Sequence, residues 1–318
     1  MKTKYFIVVI LLLIGVFVVS AIPLFASEHS NTEVKQAEKD WWFWPLLLFL
    51  ATFGMGILAV LGGVGGGVLY VPIVSSFFPF HFDFVRGAGL LVALSSALAG
   101  GPAVLKSRFV NLRLHIPIAL IASISSIFGA IIGLSVSTQI LEIAMGILIL
   151  AISLLMLSLR GFEQGSGTAG DRLSHIMGIY GIYHEPSSGE DVSWRTTRTI
   201  PGFIFFILVG LLAGIFGLGA GWANIPVLNI VMGVPLKVAV STSRFLLSIT
   251  DTSAAWIYLH NGSVLPIMIV PSIVGIMLGS FIGVRVLRKT KPTLIRWIVI
   301  ALLALNGVNS ILSGFDIY

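Results

Sequence analysis

The chain contains no cysteine, which excludes disulfides, thiol relays and thiolate metal sites. It is also poor in charge: 10% of its residues are charged, whereas a soluble domain carries about 25%. The basic runs with interleaved aromatic residues that mark nucleic-acid binding are missing, so nucleic acid is not predicted as a partner. An ATP-binding motif is missing too, and so is the nucleophile or metal-ligand set of an enzyme. We therefore predict neither enzymatic activity nor a cofactor.

Hydrophobic residues dominate instead: they make up 57% of the 318 positions and give a mean hydropathy of +1.03. The apolar runs are long and lack the alternating pattern of a membrane β-barrel. Helices are the default structure of such runs, because lipid cannot hydrogen-bond an exposed backbone. The composition predicts an all-α polytopic membrane protein, and we expect it in the cytoplasmic membrane.

The N-terminal region, residues 1–26, permits two interpretations. Lys2 and Lys4 precede an apolar run from Phe6 to Leu24, and small residues follow that run. This is the pattern of a secretory signal peptide, but an uncleaved first transmembrane helix fits as well. Both interpretations place the polar segment 27–42 outside the cytoplasm.

Trp41, Trp42 and Trp44 open the next apolar region, as expected for a residue type that favours the membrane interface. We predict a first transmembrane repeat at 43–159, a polar cytoplasmic insert at 160–199, a second repeat at 200–312 and a tail at 313–318. About ten apolar segments lie in the two repeats. They are 43–62, 64–80, 86–104, 114–136, 141–159, 200–217, 219–234, 240–259, 265–286 and 293–312.

An internal repeat relates the two halves. The letters GVGGG at 63–67 align with GLGAG at 217–221, and the same alignment places Pro72 on Pro226. If every segment spans, the basic residues gather in the cytoplasmic connections, as the positive-inside rule requires. Five spans per half is an odd number, so we predict two inverted five-helix repeats with a glycine-interrupted helix in each half. This arrangement is typical of secondary transporters.

Several motifs carry a resemblance to a known family. The second half contains GLGAGWANIPVLN at 217–229 and then PLKVAVSTSRFLLSITDTSAAWIYLHNGSVLP at 235–266. The first half contains GGVGGGVLYVPIV at 62–74, and the insert contains GIYHEPSSGEDVSW at 181–194. Over about 45–312 the chain resembles the sulfite exporter TauE/SafE family of membrane permeases. The resemblance implies transport of small sulfur-containing anions of the sulfite, sulfonate or thiosulfate class.

The glycine runs are the first candidate for a substrate site. A glycine run before a helix exposes backbone N–H groups at the positive end of the helix dipole, which suits an anion. Two such helix starts, one in each inverted half, would meet near the membrane midplane. The predicted binding glycines are Gly63, Gly65, Gly66, Gly67, Gly217, Gly219 and Gly221. For a second set we favour close helix packing instead; this set is Gly129, Gly133, Gly279 and Gly283.

Polar residues of the eighth segment form the second candidate. Ser241, Thr242 and Ser243 offer hydroxyl donors for anion oxygens, and Arg244 offers a charge with a bidentate fork. Asp251, about two turns further on, is the candidate for coupling to a proton or another cation. Two alternatives stay open: a structural Arg244–Asp251 pair, and an Arg244 that extends to the cytoplasmic interface.

Three more polar residues complete the predicted lining. Asn224 lies in the second glycine motif, and Ser96 and Thr250 fall at corresponding positions of the two halves. For Ser96 and Thr250 the alternative is a hydrogen bond to the backbone of their own helix. The charged residues of 81–86 are predicted to lie in a solvated outer loop or gate.

The predicted function is a secondary transporter that moves a small sulfur-containing anion through the lipid bilayer by alternating access. With no ATP-binding motif, an ion gradient or the membrane potential would drive it, so a proton or another cation is a candidate second partner. The alternatives are an anion channel, a transporter of another small organic anion and, in a different class, a membrane scaffold or assembly protein. A scaffold would not need paired glycine breaks.

Overall fold

The computed structural model describes residues 42–62, 65–107, 111–158, 170–185, 190–287 and 292–315. The predicted signal peptide or first helix and Gly63 lie outside these residues. In chain order the elements are α1 (Phe43–Gly62), α2 (Gly66–Phe77), α3 (Phe82–Ser107), α4 (Leu112–Ser135), α5 (Thr138–Ser158), α6 (Arg172–Met177), β1 (Tyr180–Glu185), β2 (Glu190–Arg195), α7 (Thr199–Phe216), α8 (Gly221–Pro226), α9 (Leu236–His260), α10 (Pro266–Leu287) and α11 (Pro292–Gly314).

Six helices within the described residues are long and apolar enough to cross a membrane, namely α1, α3, α4, α5, α7 and α10. Helix α9 has 25 residues, which corresponds to about 37 Å, but Arg244 and Asp251 make it less apolar. The prediction of a helical multi-pass membrane protein is confirmed.

In the described parts of the two transmembrane repeats, two helices are too short to cross the hydrocarbon layer, and each follows a glycine run. Helix α2 has 12 residues, about 18 Å. Helix α8 has 6 residues and continues into a π-helical turn of 5 residues, Val227–Val231, so the two together span about 16 Å. Because the hydrocarbon core is about 30 Å thick, the predicted segments 64–80 and 219–234 are half-length helices, and the prediction of ten spans, five in each half, is not confirmed.

Each half-length helix folds back along the helix that precedes it. In the first half, the ring of Trp44 at the start of α1 lies 5.8 Å from the ring of Phe78, just after α2. In the second half, Thr197, just before α7, donates its backbone N–H to the carbonyl oxygen of Met232 at 3.1 Å, just after the π-helical turn. The chain therefore forms two helical hairpins, α1–α2 and α7–α8.

The open ends of these hairpins lie at opposite ends of α3. The first lies beside the start of α3, because α2 ends only five positions before Phe82. The second lies beside the insert, which contacts the residues after the end of α3: Asn111 Nδ2 donates to the carbonyl oxygen of Tyr180 at 2.9 Å. Helix α3 has 26 residues, about 39 Å. The two half-length helices thus approach the interior from opposite sides.

Glycines bring the most closely packed helices together. A methyl group at Gly279 of α10 would lie 2.1 Å from a carbonyl oxygen of α1, and one at Gly129 of α4 would lie 2.2 Å from a carbonyl oxygen of α7. Methyl groups at Gly133 and Gly283 would lie 2.8 Å from a carbonyl oxygen of α7 and 3.1 Å from one of α1, so these two contacts are less tight. The prediction that these four glycines serve helix packing is confirmed.

The described part of the polar insert folds into α6 and the β1–β2 hairpin, and Asp171 joins it to the membrane helices. One carboxylate oxygen of Asp171 accepts from the Ser174 N–H at 2.8 Å and from the Thr199 hydroxyl at 2.9 Å. The other accepts from the Thr199 N–H at 2.7 Å. This one side chain therefore caps both α6 and α7. Ile179 and Trp194 are buried in a core cluster shared with α4 and α7.

We predict that Asp171→Ala loosens the insert, because loss of an N-cap costs about 0.5–2 kcal/mol. Burial raises the pKa of Asp171, but hydrogen bonds from Thr199 and Ser174 lower it by more, so the pKa lies below its usual value. Its stabilising contribution is present above pH ~4 and is lost as the pH falls through the lowered folded pKa. Hydrogen–deuterium exchange of α6 and the start of α7 measures both effects.

Ser193→Ala, at an exposed position of β2, is the control and should exchange as the wild type does. Asp171→Asn keeps one acceptor oxygen and should give an intermediate result. Wild-type exchange in Asp171→Ala would contradict the capping role.

Candidate functional site

The two glycine runs meet in the interior of the protein. A methyl group at Gly67, in the first turn of α2, would lie 2.5 Å from the carbonyl oxygen of Leu218. One at Gly65 would lie 3.8 Å from the Cα of Gly221, where α8 begins. The starts of the two half-length helices therefore lie against each other, at the point where the two hairpins converge.

The backbone at this point needs glycine for a second reason. Gly65, Gly217 and Gly219 have φ values of 88°, 67° and 71°, in the left-handed region that other residues adopt only at a cost. Gly65 is also the N-cap of α2 and makes no side-chain hydrogen bond to the helix. The first N–H groups of a helix have no partner within it, so those of α2 are donors directed at the convergence point.

Ser96 and Thr250 differ in their surroundings. The Ser96 hydroxyl lies 3.1 Å from that of Ser280, and its Cβ would lie 3.1 Å from a methyl group at Gly66. Ser96 therefore borders the first turn of α2. Thr250 donates its hydroxyl to the carbonyl oxygen of Leu246 in its own helix, which confirms the alternative interpretation for that residue.

Asn224 and Thr242 are buried polar residues without hydrogen-bond partners. Asn224 is 1% exposed and Thr242 is 0% exposed, and neither the Asn224 amide nor the Thr242 hydroxyl is bonded. Buried polar groups are usually paired, and leaving one unpaired costs about 1–3 kcal/mol. Ser241 and Ser243, which flank Thr242 on α9, are buried as well. Helices α8 and α9, which pack on each other, thus carry buried polar groups able to bind a polar ligand.

Asp251 and Arg244 lie on α9 but do not pair. The Asp251 carboxylate is buried against Gly219, where an added methyl group would lie 2.9 Å from Oδ2. Neither oxygen makes a well-formed hydrogen bond, although the backbone N–H of Ala220 lies nearby. Arg244 is half-buried, and no described carboxylate lies within 4.0 Å of its guanidinium. The predicted alternative of an Arg244–Asp251 pair is wrong.

Arg86 is the residue whose predicted location differs most from the observed one. It was expected in a solvated loop, but it lies near the start of α3 and is fully buried. Asp83, also in α3, accepts a hydrogen bond from it, and His81 just before the helix is exposed. A signal for this burial was the run RGAG at 86–89: a methyl group at Gly89 would lie 2.5 Å from the carbonyl oxygen of Gly217.

Asn229 is a second residue that sequence analysis missed. It lies in the π-helical turn, is 8% exposed, and donates to the carbonyl oxygen of Val234 at 2.8 Å. Isolated π-helical turns occur often at functional sites. Pro226, directly before this turn, is the one local feature that marks it.

A family model for the sulfite exporter TauE/SafE matches residues 48–310. The chain belongs to the sulfite exporter TauE/SafE family. This TauE/SafE member is similar to the probable membrane transporter protein YunE of Bacillus subtilis, with 24% identity over 267 residues, 81% of this chain and 94% of that protein. It is also similar to a probable membrane transporter protein of Methanocaldococcus jannaschii, with 25% identity over 282 residues, 84% of this chain and 95% of that protein. No solved structure matches the chain.

Membership of the TauE/SafE family confirms the resemblance that the glycine motifs carry. The family and the two relatives place the chain among membrane transporters rather than among enzymes. The long apolar helices agree with a multi-pass membrane protein.

We predict that Gly67→Ala destabilises the protein by about 1–3 kcal/mol, because the added methyl group collides with the Leu218 carbonyl of the other hairpin. Gly54→Ala is the matched control in α1, since a methyl group there meets nothing within 4 Å. The control should be neutral or slightly stabilising, because alanine is the better helix former. Thermal unfolding in detergent compares the two; equal midpoints would contradict the close approach of the hairpins.

Proposed function

We propose that this TauE/SafE member is a secondary transporter that moves a small sulfur-containing anion across the cytoplasmic membrane by alternating access. The observation that carries the proposal is the convergence of two glycine-led half-length helices, with buried, unpaired polar groups around it: Asn224 lies on α8, and Thr242 and Asp251 lie on α9, which packs on α8. The family name, sulfite exporter, supports the substrate class. The names of the relatives, probable membrane transporter proteins, support transport itself.

The proposed mechanism uses two inverted halves, and the helix packing supports it. The first helix of each half packs on the fourth helix of the other: α1 on α10, and α7 on α4. The third helices, α3 and α9, pack on each other, and so do the fifth, α5 and α11. Inverted repeats related by a pseudo-two-fold axis are expected to pack in this reciprocal way. In alternating access, one half would rock against the other around a fixed site.

The proposed anion site lies at the convergence of the hairpins. Backbone N–H groups after Gly65 would donate to the anion at the positive end of α2. Arg244 would supply the charge, since no described carboxylate neutralises it, and α9, which carries it, packs on α8. A charged side chain deep in a membrane costs at least about 2.5–3.5 kcal/mol, and a bound anion would offset that cost. Ser241, Thr242 and Ser243 would add hydroxyl donors.

The proposed coupling residue is Asp251. A buried carboxylate with no described cation beside it is more stable neutral than charged, and the nearby Ala220 backbone N–H offsets only part of the cost of burial. We therefore expect Asp251 to hold a proton in this conformation. Opening of the site to water would hydrate the carboxylate and release that proton. The potential also favours export, because a monovalent anion that leaves a negative interior gains about 2.3 kcal/mol per 100 mV.

Flux into proteoliposomes tests the proposed function. We expect saturable flux of at least one of sulfite, thiosulfate and taurine, with a rate that a proton gradient changes. In Asp251→Asn the gradient should no longer change the rate, because the titratable group is gone. Flux that never saturates would indicate a channel, and no flux of any of the three would overturn the proposal.

Arg244→Gln tests the site. We expect the affinity for the transported anion to fall at least about tenfold, because a charge-assisted hydrogen bond is lost, while the protein elutes as a folded species. Thr252→Ala is the control: Thr252 is exposed on the same helix and bonds its own backbone. Titration calorimetry measures both variants, and wild-type affinity in Arg244→Gln would remove this residue from the site.

A further inference from the structure

Arg86, near the start of α3, is a buried charge with several partners. Its guanidinium is 0% exposed and lies between two aromatic rings, 5.2 Å from the centroid of Phe82 and 5.6 Å from that of Tyr258. Its Nη1 donates to the carbonyl oxygen of Ile215 at 2.7 Å, and its Nη2 donates to Asp83. The side chain thus joins α3, in the first half, to the end of α7, in the second.

The end of α7 receives a second donor from α9. The Tyr258 hydroxyl donates to the carbonyl oxygen of Gly214 at 2.9 Å. The last carbonyls of a helix have no partner within it and carry partial negative charge, so Arg86 and Tyr258 together cap α7. The residues that follow, Gly217–Gly221, form one wall of the proposed anion site. By fixing the end of α7, Arg86 and Tyr258 therefore also fix the position of this wall.

The cluster closes one end of the site. A methyl group at Gly133 of α4 would lie 2.7 Å from Nη1 of Arg86, and one at Gly87 would lie 2.4 Å from the carbonyl oxygen of Ser263, in the turn after α9. Helices α3, α4, α7 and α9 therefore converge on the fully buried Arg86 side chain. Beyond it Asp83 is partly exposed, at 31% of its side chain. In the proposed topology this end faces away from the cytoplasm.

We propose that Arg86 is the positioning residue of an extracytoplasmic gate: it holds the end of α7 closed in this conformation and leaves the α7 carbonyls when the site opens outward. The inference rests on the proposed alternating-access transport. The guanidinium stays charged at any physiological pH, so it needs a counter-charge in both positions. Asp83, one turn away on the same helix and partly exposed, can follow it toward water. Nη1 and Nη2 have acceptors but Nε has none, so the closed contact leaves one donor unsatisfied.

The absence of native cysteine makes the gate directly measurable. Asn224→Cys places a smaller side chain at a 1% exposed position in the wall of the site and serves as the reporter in every variant. A charged, membrane-impermeant methanethiosulfonate is added to right-side-out or to inside-out vesicles, and the labelling rate is measured on each side. In the Arg86→Gln background we expect outside labelling at least about tenfold faster, with inside labelling unchanged. Arg86→Lys keeps the charge without the planar fork, so its outside labelling rate should lie between those of the wild type and Arg86→Gln.

Arg113→Gln is the matched control. Arg113 lies near the start of α4, where its guanidinium is 5.9 Å from the ring centroid of Tyr180, at the opposite end from Arg86. This variant should leave the outside rate unchanged. Tyr258→Phe removes only the hydroxyl that caps Gly214 and should raise the outside rate less than Arg86→Gln does. It keeps the inference testable if Arg86→Gln does not fold.

Two results would overturn the gate: no rise in outside labelling in either Arg86→Gln or Tyr258→Phe, or an equal rise from both sides, which is the result of general loosening. Labelling needs no substrate. If no sulfur-containing anion is transported but outside labelling still rises, the proposed substrate fails and the gate stands. If flux is saturable but labelling is unchanged, the gate alone fails.

Discussion

The structure depends on one constraint: backbone N–H and C=O groups inside a membrane must find partners in the protein, because hydrocarbon offers none. The two glycine breaks put such groups in the interior. At the end of α7 the carbonyls of Gly214 and Ile215 receive donors from Tyr258 and Arg86. At the start of α2, Gly65 has no side chain with which to cap the helix. At the second break, protein side chains therefore pair with the free carbonyl groups. At the first break, the free N–H groups of α2 are where we place the anion.

Glycine meets two separate demands in this protein. Between α1 and α10 and between α4 and α7, it lets a helix backbone touch the next one, as at Gly279 and Gly129. At Gly65 and Gly217 it also supplies a positive φ. The close pairs join each half to the other, so they form the frame in which the two breaks meet. These reciprocal helix pairs also suit the proposed rocking of one half against the other, because each half contributes one helix to each pair.

Arg86, Asp251 and Arg244, three ionisable groups of the membrane helices, differ in how far their surroundings compensate them. Arg86 has a carboxylate, a helix end and two rings around it. Asp251 is buried near the Ala220 N–H, without a described cation beside it, and is expected to be neutral. Arg244 is half-buried without a described counter-ion. An uncompensated charge in a membrane is costly, and the proposed roles follow from this. Arg86 forms the gate contact, Asp251 carries a proton, and Arg244 binds the anion.

The sequence by itself determined the class of protein, the family and the two glycine breaks, because composition and local pattern suffice for these. It also separated the packing glycines, such as Gly129, from those of the breaks. It overestimated the lengths of α2 and α8, since an apolar run does not reveal where a helix turns back. Only the tertiary structure decided that Gly65 lies against Gly221, that Asp251 lies against Gly219 rather than Arg244, and that Arg86 is buried. These are contacts between distant parts of the chain: Arg86 and Ile215 are 129 residues apart. A local sequence pattern cannot show which distant groups will pair, because their pairing depends on how the whole chain packs.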